Sequence, residues 1–239
     1  VYFYRLNVTH PILRQVAVRR ALSLAIDRKR LVDTILRGAQ MPAGSFTPPS
    51  ISGYQPPTGL YADPEAARRL LSEAGYPNGD GFPELEILFN SSENHRLIAE
   101  AIQEIWRREL GIHTTLHNQD LRGYLENRRL LNYEIIRSGW VAVYQDPMSF
   151  LALFTTDNPD NQTGWSDPSY DQLVETARHE TDRQARQELF QQAEEIILSE
   201  VPVIPIYHYS TIRLVDPRVK GWVSHPLDQH PYKYLYLEE

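Results

Sequence analysis

With 239 residues, 41% of them hydrophobic and 23% charged, the chain is long enough to bury a sizeable core, and disorder is excluded as its main state. The formal charge of −7, from 24 Lys and Arg against 31 Asp and Glu, gives no broad electropositive surface, so nucleic acid is not expected as a partner. No stretch approaches the roughly 20 apolar residues that cross a bilayer, and the absence of cysteine removes thiol nucleophiles, thiolate metal sites and disulfides together.

The opening Val1–Asn7 is β-branched and aromatic and reads as a strand that starts with no lead-in, as a piece of a longer chain would. Val18, Leu22, Ala25 and Ile26 share a helical face, and Asp27 can cap a second helix carrying Leu31, Val32, Ile35 and Leu36. Prolines 42, 48, 49, 56, 57 and 64 leave residues 42–64 as a long surface loop without regular structure. Asp63-Pro64 starts a helix that ends at Gly75. A strand at Leu85–Asn90, a helix bearing Leu97, Ile98, Ala101, Ile102, Ile105 and Trp106, a strand at Ile112–His117, a short helix near Leu121–Leu131 and a strand at Tyr133–Trp140 follow. Such alternation predicts an α/β layer. Beyond Asp146 the pattern turns helical: Asp167-Pro168 starts one helix, and Thr181 with Gln184 forms a capping box for another. The end is read as short strands at Val203–Tyr209, Ile212–Val215 and Tyr232–Leu237.

Motifs that carry chemistry are sparse. No G-x-S-x-G, H-E-x-x-H, P-loop or G-x-G-x-x-G occurs, so nothing supports an enzyme. His225, Asp228 and His230 mix metal-ligand types but lie among prolines in a loop, where surface histidines are the commoner explanation. More informative is the stretch from Asp120 to Asp146. There Arg137 shares a strand face with Tyr133 and Ile135. A half-buried guanidinium needs an oxygen partner, and a salt bridge within the fold and contact with a ligand are equally open. Trp140, at the strand end, fits a core position as well as a pocket wall.

Ser138–Leu151, with its Gly-Trp, Asp-Pro and Phe-Leu pairs, resembles the signature of the extracytoplasmic oligopeptide- and dipeptide-binding proteins of ABC transporters, the family 5 solute-binding proteins. Val16–Arg28 is similar to that family's Val-Arg-x-Ala-Leu-x-x-Ala-Ile-Asp-Arg helix, Phe46–Pro49 to its Thr-Pro-Pro loop, and Ala66–Gly75 to its Ala-x-x-Leu-Leu-x-Glu-Ala-Gly helix. Asn161–Ala177, Arg186–Glu194 and Val203–Val215 fit the rest, so the resemblance runs in order over nearly the whole chain.

The resemblance implies an α/β lobe of the type II periplasmic-binding-protein kind, with a mixed sheet flanked by helices. Residues 1–208 would form the second, ligand-binding lobe with a hinge strand at 1–7, and residues 209–239 a return segment toward a first lobe. It implies binding of a peptide or peptide-like ligand without chemistry or cofactor, transient docking on a membrane permease, a monomer, and an extracytoplasmic address directed by a signal or lipid anchor. A ligand-sensing domain of a regulator and a binder of non-peptide solutes are the alternatives. By position, Arg128 and Arg137 correspond to cleft-facing arginines, His95 to a cleft histidine, Asn90 to the adjoining strand end, Trp140 to a pocket wall and Tyr209 to an aromatic beside the return hinge. Val143 stands where the resemblance places an aspartate that pairs the ligand's α-ammonium group. Either Asp146 substitutes for it, or the ligand carries no free amine there.

Overall fold

A computed structural model of the chain describes every residue except Ala39, Ser50, Ile212, Ser224, 226–228 and Glu239. Strand β1 (Tyr2–Leu6) is followed by helices α1 (Val16–Leu24) and α2 (Arg28–Ile35), the two-residue strand β2 (Met41–Pro42) and helix α3 (Pro64–Glu73). Strands β3 (Leu85–Asn90), β4 (Thr114–Gln119) and β5 (Ile135–Gly139) alternate with helices α4 (Glu93–Leu110) and α5 (Leu121–Arg129). Helices α6 (Met148–Leu151), α7 (Pro168–His179) and α8 (Arg183–Glu200) then lead to β6 (Val203–His208) and to a separate ladder of β7 (Val219–Lys220) and β8 (Tyr236–Leu237).

Six strands form one mixed sheet in the order β2-β6-β1-β5-β3-β4. Strand β3 runs parallel to β4 and β5, which the crossover helices α4 and α5 require, while β1 is antiparallel to β5 and β6. Alternation along the strands builds two cores. Tyr2, Tyr4, Leu6, Ile87 and Ile135 join the core on the side of α1 to α4, and Val1 and Phe3 join Phe150, Phe154, Tyr170 and Phe190 on the side of α6 to α8. Leu88 and Ile136 pack beneath α5 with Tyr124 and Tyr133. The register slips between Tyr2 and Phe3 against β6, so Ile206 and Tyr207 both join the first core. Pro205, which cannot donate to a ladder, sits beside this bulge.

Helix starts follow the Asp-x-x pattern. Asp27, Asp63 and Asp167 accept from main-chain N–H groups of the first turn at 2.7–3.0 Å, each a cap worth about 1 kcal/mol. Asp182, rather than Thr181, caps α8 by accepting from the Ala185 N–H at 2.8 Å; a carboxylate also interacts more favourably with the helix dipole than a hydroxyl does. Among its described residues the proline-rich stretch holds only β2 and one turn of 3₁₀ helix at Ile51–Gly53. What fixes it is the fully buried Glu194 of α8, which accepts from the Thr47 N–H at 2.7 Å and from the Tyr54 hydroxyl at 2.8 Å.

Several expected elements differ: the strand expected at Tyr133–Trp140 spans Ile135–Gly139 as β5, and three others depart further. Strand β4 begins two residues later than expected, because Gly111 ends α4 in the left-handed region (φ 71°) and Ile112 is spent packing into the core. Residues 213–215 of the expected strand at Ile212–Val215 are irregular, and Ile212 lies outside the described residues. The expected Tyr232–Leu237 strand is a 3₁₀ turn at Tyr232–Tyr234 followed by β8. Of the three C-terminal polar residues noted above, Asp228 lies outside the described residues and His230 stacks on Trp222 with ring centroids 3.8 Å apart. Among the described residues no cluster of three or more metal-ligating side chains occurs.

Candidate functional site

One edge of the sheet gathers the carboxyl ends of β3, β4, β5 and β6 with the start of β1, and helices α4 and α5 begin there. In mixed α/β sheets this edge, outside the carboxyl ends of the parallel strands, is where the fold leaves room for a ligand. Its centre is Arg137. The register pairs Tyr4 with Arg137 and Tyr2 with Gly139, which puts the guanidinium on the same face as both tyrosines. Its carbon lies 4.7 Å from the Tyr2 ring centroid, Nη1 donates to Asn90 Oδ1 at 3.3 Å, and Nη2 donates to the Tyr209 hydroxyl at 3.2 Å. Among the described residues no carboxylate pairs with it, and its buried Nε has no hydrogen-bond partner. The salt-bridge reading of Arg137 is therefore replaced by a cation held by neutral oxygens and a ring face.

Aromatic packing fixes this cation. Tyr2 stacks on Tyr207 with centroids 4.8 Å apart, and Tyr207 meets Tyr209 edge-on at 5.4 Å. His95, in the first turn of α4, tilts against Tyr2 at 5.5 Å with Nδ1 at 3.4 Å from the Tyr2 hydroxyl. Burial, and secondly the Arg137 charge, push the His95 imidazole down to about 4, so it is neutral near pH 7. Burial likewise raises the phenols of Tyr2 and Tyr209, which stay protonated as donors. Gly139 leaves the gap that admits this arrangement: a Cβ there would meet the Tyr209 hydroxyl at 2.6 Å and Arg137 Nη2 at 3.4 Å.

Asn90, His95, Arg137 and Tyr209 thus converge. Trp140 and Val143 lie on the loop that leaves β5 at the same edge: Trp140 is half-buried against the second core with Nε1 donating to the Ser149 carbonyl at 2.6 Å, while Val143 is exposed. Arg128 is elsewhere. It lies over the Tyr124 ring at 5.7 Å, and its charge acts on Arg5. Arg5 pairs with Ile136 and donates Nε to Ser138 Oγ, on the face opposite Tyr4 and Arg137, so the two arginines occupy opposite faces of the sheet. Tyr2 and Tyr207 were not among the expected site residues. The alternation Tyr2-Phe3-Tyr4 marks two tyrosines on one face, but only the pairing of β1 with β5 brings Tyr2 to Arg137.

Residues 1–162 match the family model for bacterial extracellular solute-binding proteins, family 5 Middle. The chain is 34% identical over its full length to the oligopeptide-binding protein OppA of Bacillus subtilis (strain 168) and covers 45% of that protein. It is 33% identical over 99% of its length to the periplasmic murein peptide-binding protein MppA of Escherichia coli (strain K12), again covering 45%. A solved MppA, in its unliganded open form, superposes with a TM-score of 0.91 at 33% identity over 99% of this chain and 47% of that one. Haemophilus influenzae OppA in complex with RPPGFSPFR does so with a TM-score of 0.87 at 31% identity, over 99% and 48%. The chain spans about half the length of the curated relatives it matches. With the family model covering most of its residues, the chain belongs to the bacterial extracellular solute-binding proteins of family 5.

Proposed function

We propose that the chain supplies one wall of a ligand cleft in an extracytoplasmic receptor for peptide or peptide-like solutes, which binds its solute without chemistry and hands it to the membrane permease of an ABC transporter. In this reading residues 1–208 are the ligand-binding lobe, β1 doubles as the hinge strand, and residues 209–239 return toward a partner lobe. The exposed Leu214, Val223, Tyr232, Tyr234, Tyr236 and Leu237 of that segment support its having a surface to cover. The receptor acts as a monomer and reaches its compartment by a signal or lipid anchor.

The observation that carries the reading is the Arg137 guanidinium at the sheet edge, held by Asn90, Tyr2 and Tyr209 with no carboxylate from the described residues. A cation so placed suits a ligand carboxylate, which can approach the fork without displacing an internal anion. Asn90, His95, Trp140, Val143 and Tyr209 line the wall around it, and these amide, imidazole and phenol side chains beside aromatic and aliphatic ones favour an amide-rich solute. Arg128, on the other face, would act from the far side of the sheet.

Native mass spectrometry of the full-length gene product, purified without denaturation, tests this. The expected result is an intact small solute bearing amide bonds and a free carboxylate. A sugar, a nucleotide or a lipid as the retained solute would sink the proposal.

A further inference from the structure

Loop 140–147 turns three apolar side chains outward at the cleft edge: Val141, Val143 and Tyr144 are 71%, 78% and 49% exposed. The Val143 main chain and the Asp146 carboxylate face inward. The Val143 N–H donates to Ser149 Oγ at 3.1 Å, and Asp146 Oδ1 accepts from the Met148 N–H at 2.9 Å. Asp146 is also gripped from behind by Arg186 of α8, whose Nη1 donates to Oδ2 at 2.6 Å and Nη2 to Oδ1 at 3.0 Å. Arg186 is itself fixed, with its guanidinium carbon 4.7 Å from the Phe190 ring centroid and Nε donating to the Ala177 carbonyl at 2.9 Å.

A carboxylate held by both oxygens in a fork and by a main-chain N–H is not available to a second cation. Among the described residues the other acids of this edge do not replace it. Glu93 is held by Arg96 at 2.6 Å, and Asp120 caps α5 beyond β4, two strands away from β5, which is roughly 10 Å at the usual strand spacing. The loop therefore presents ring and methyl groups, with Arg137 as the neighbouring charge. An ammonium group enclosed against such a surface loses its water without gaining an anion.

Resting on the reading of this edge as half of a cleft for peptide-like solutes, we propose that loop 140–147 is an apolar subsite to which the described residues of this wall supply no counter-charge. It takes the uncharged end of a peptide-like acid, such as an N-acylated or otherwise blocked amino end. Arg186 is the positioning residue that sets this preference, because it withdraws Asp146 from the cleft.

The test offers the full-length gene product a lysine-free pool of short peptides mixed with the same pool acetylated at the amino ends, and reads the retained members by mass spectrometry. The acetylated forms are expected to be enriched about ten-fold or more. Val143→Asp, at an exposed tip, is expected to invert the preference. Arg186→Gln is expected to raise retention of the free amines, whereas a merely structural role would lower both forms alike. Equal retention of both forms, or a preference for free amines, by the unaltered protein would overturn the subsite alone. An unchanged preference in Val143→Asp would do the same. Retention of neither form would overturn the peptide-like reading of the cleft, and the subsite with it.

Discussion

Arg137 and Tyr2, 135 positions apart in sequence, meet with the guanidinium carbon 4.7 Å from the ring centroid, because β1 and β5 pair antiparallel with Tyr2 opposite Gly139. The contact gives the cation a fixed place at the sheet edge without neutralising it. Everything proposed for the cleft follows from that separation of positioning from charge pairing.

His95 reports on the Arg137 charge. Its folded value of about 4 lies below the ordinary 6.5, so the proton binds the unfolded chain more tightly. The stabilising contribution is complete above pH 6.5 and is lost as pH falls toward 4. An NMR titration of the His95 ring is expected to give a midpoint near 4, and Arg137→Gln is expected to raise it. A midpoint near 6.5 in the unaltered protein would show that the imidazole is not buried against Tyr2.

Gly139→Ala tests the fit between β5 and Tyr209. The new methyl meets the Tyr209 hydroxyl, which is the mobile end of a half-exposed side chain and can swing away, breaking its 3.2 Å bond to Arg137. Calorimetry with the solute that co-purifies with the protein is expected to show about 1 kcal/mol of lost affinity, roughly five-fold, with little change in melting temperature. Unchanged affinity would mean that Tyr209 plays no part in holding Arg137 for the ligand.

Glu194 should make stability depend on pH. Burial raises its carboxyl from 4.5 to about 7, against the opposing effect of the Thr47 and Tyr54 hydrogen bonds. The native state therefore binds the proton more tightly than the unfolded chain. Stability is highest below pH 4.5 as far as this group is concerned, and falls as pH rises toward 7, by roughly 3 kcal/mol at most. Denaturant melts between pH 5 and 8 are expected to show this slope, and Glu194→Gln, whose carbonyl oxygen can still accept from the Thr47 N–H while its NH2 group faces the Tyr54 hydroxyl oxygen, to flatten it. An equal slope in the variant would assign the effect to another group.

Much of the fold was legible because the signals are local. The Asp-Pro starts of α3 and α7, the apolar stripe of α4 and the short apolar run of β3 each follow from a few neighbouring residues. Choices that depend on distant partners were not legible. The strand order that places β1 between β5 and β6 is set by long-range pairing, and the bulge beside Pro205 decides that Tyr207 rather than Ile206 lies opposite Tyr2. Of the site, Asn90, His95, Arg137 and Tyr209 converge because four separate elements end at one edge. Arg128 does not join them, since one helical turn after Tyr124 it is aimed at the other face, a phase that its spacing from Arg137 does not encode. Thr181 and Asp182 are adjacent acceptors, and only the main chain of the first turn selects between them.

The pairing of Arg137 with a ligand carboxylate is tested most directly by a double-mutant cycle on the full-length gene product, in which the co-purified solute and its carboxamide are each titrated into the unaltered protein and into Arg137→Gln. Amidation is expected to weaken binding to the unaltered protein by roughly 2 kcal/mol, about thirty-fold, and to have little effect on the variant, where the partner is already gone. An equal loss on amidation in both proteins would contradict the account, because the carboxylate would then be held somewhere other than at Arg137.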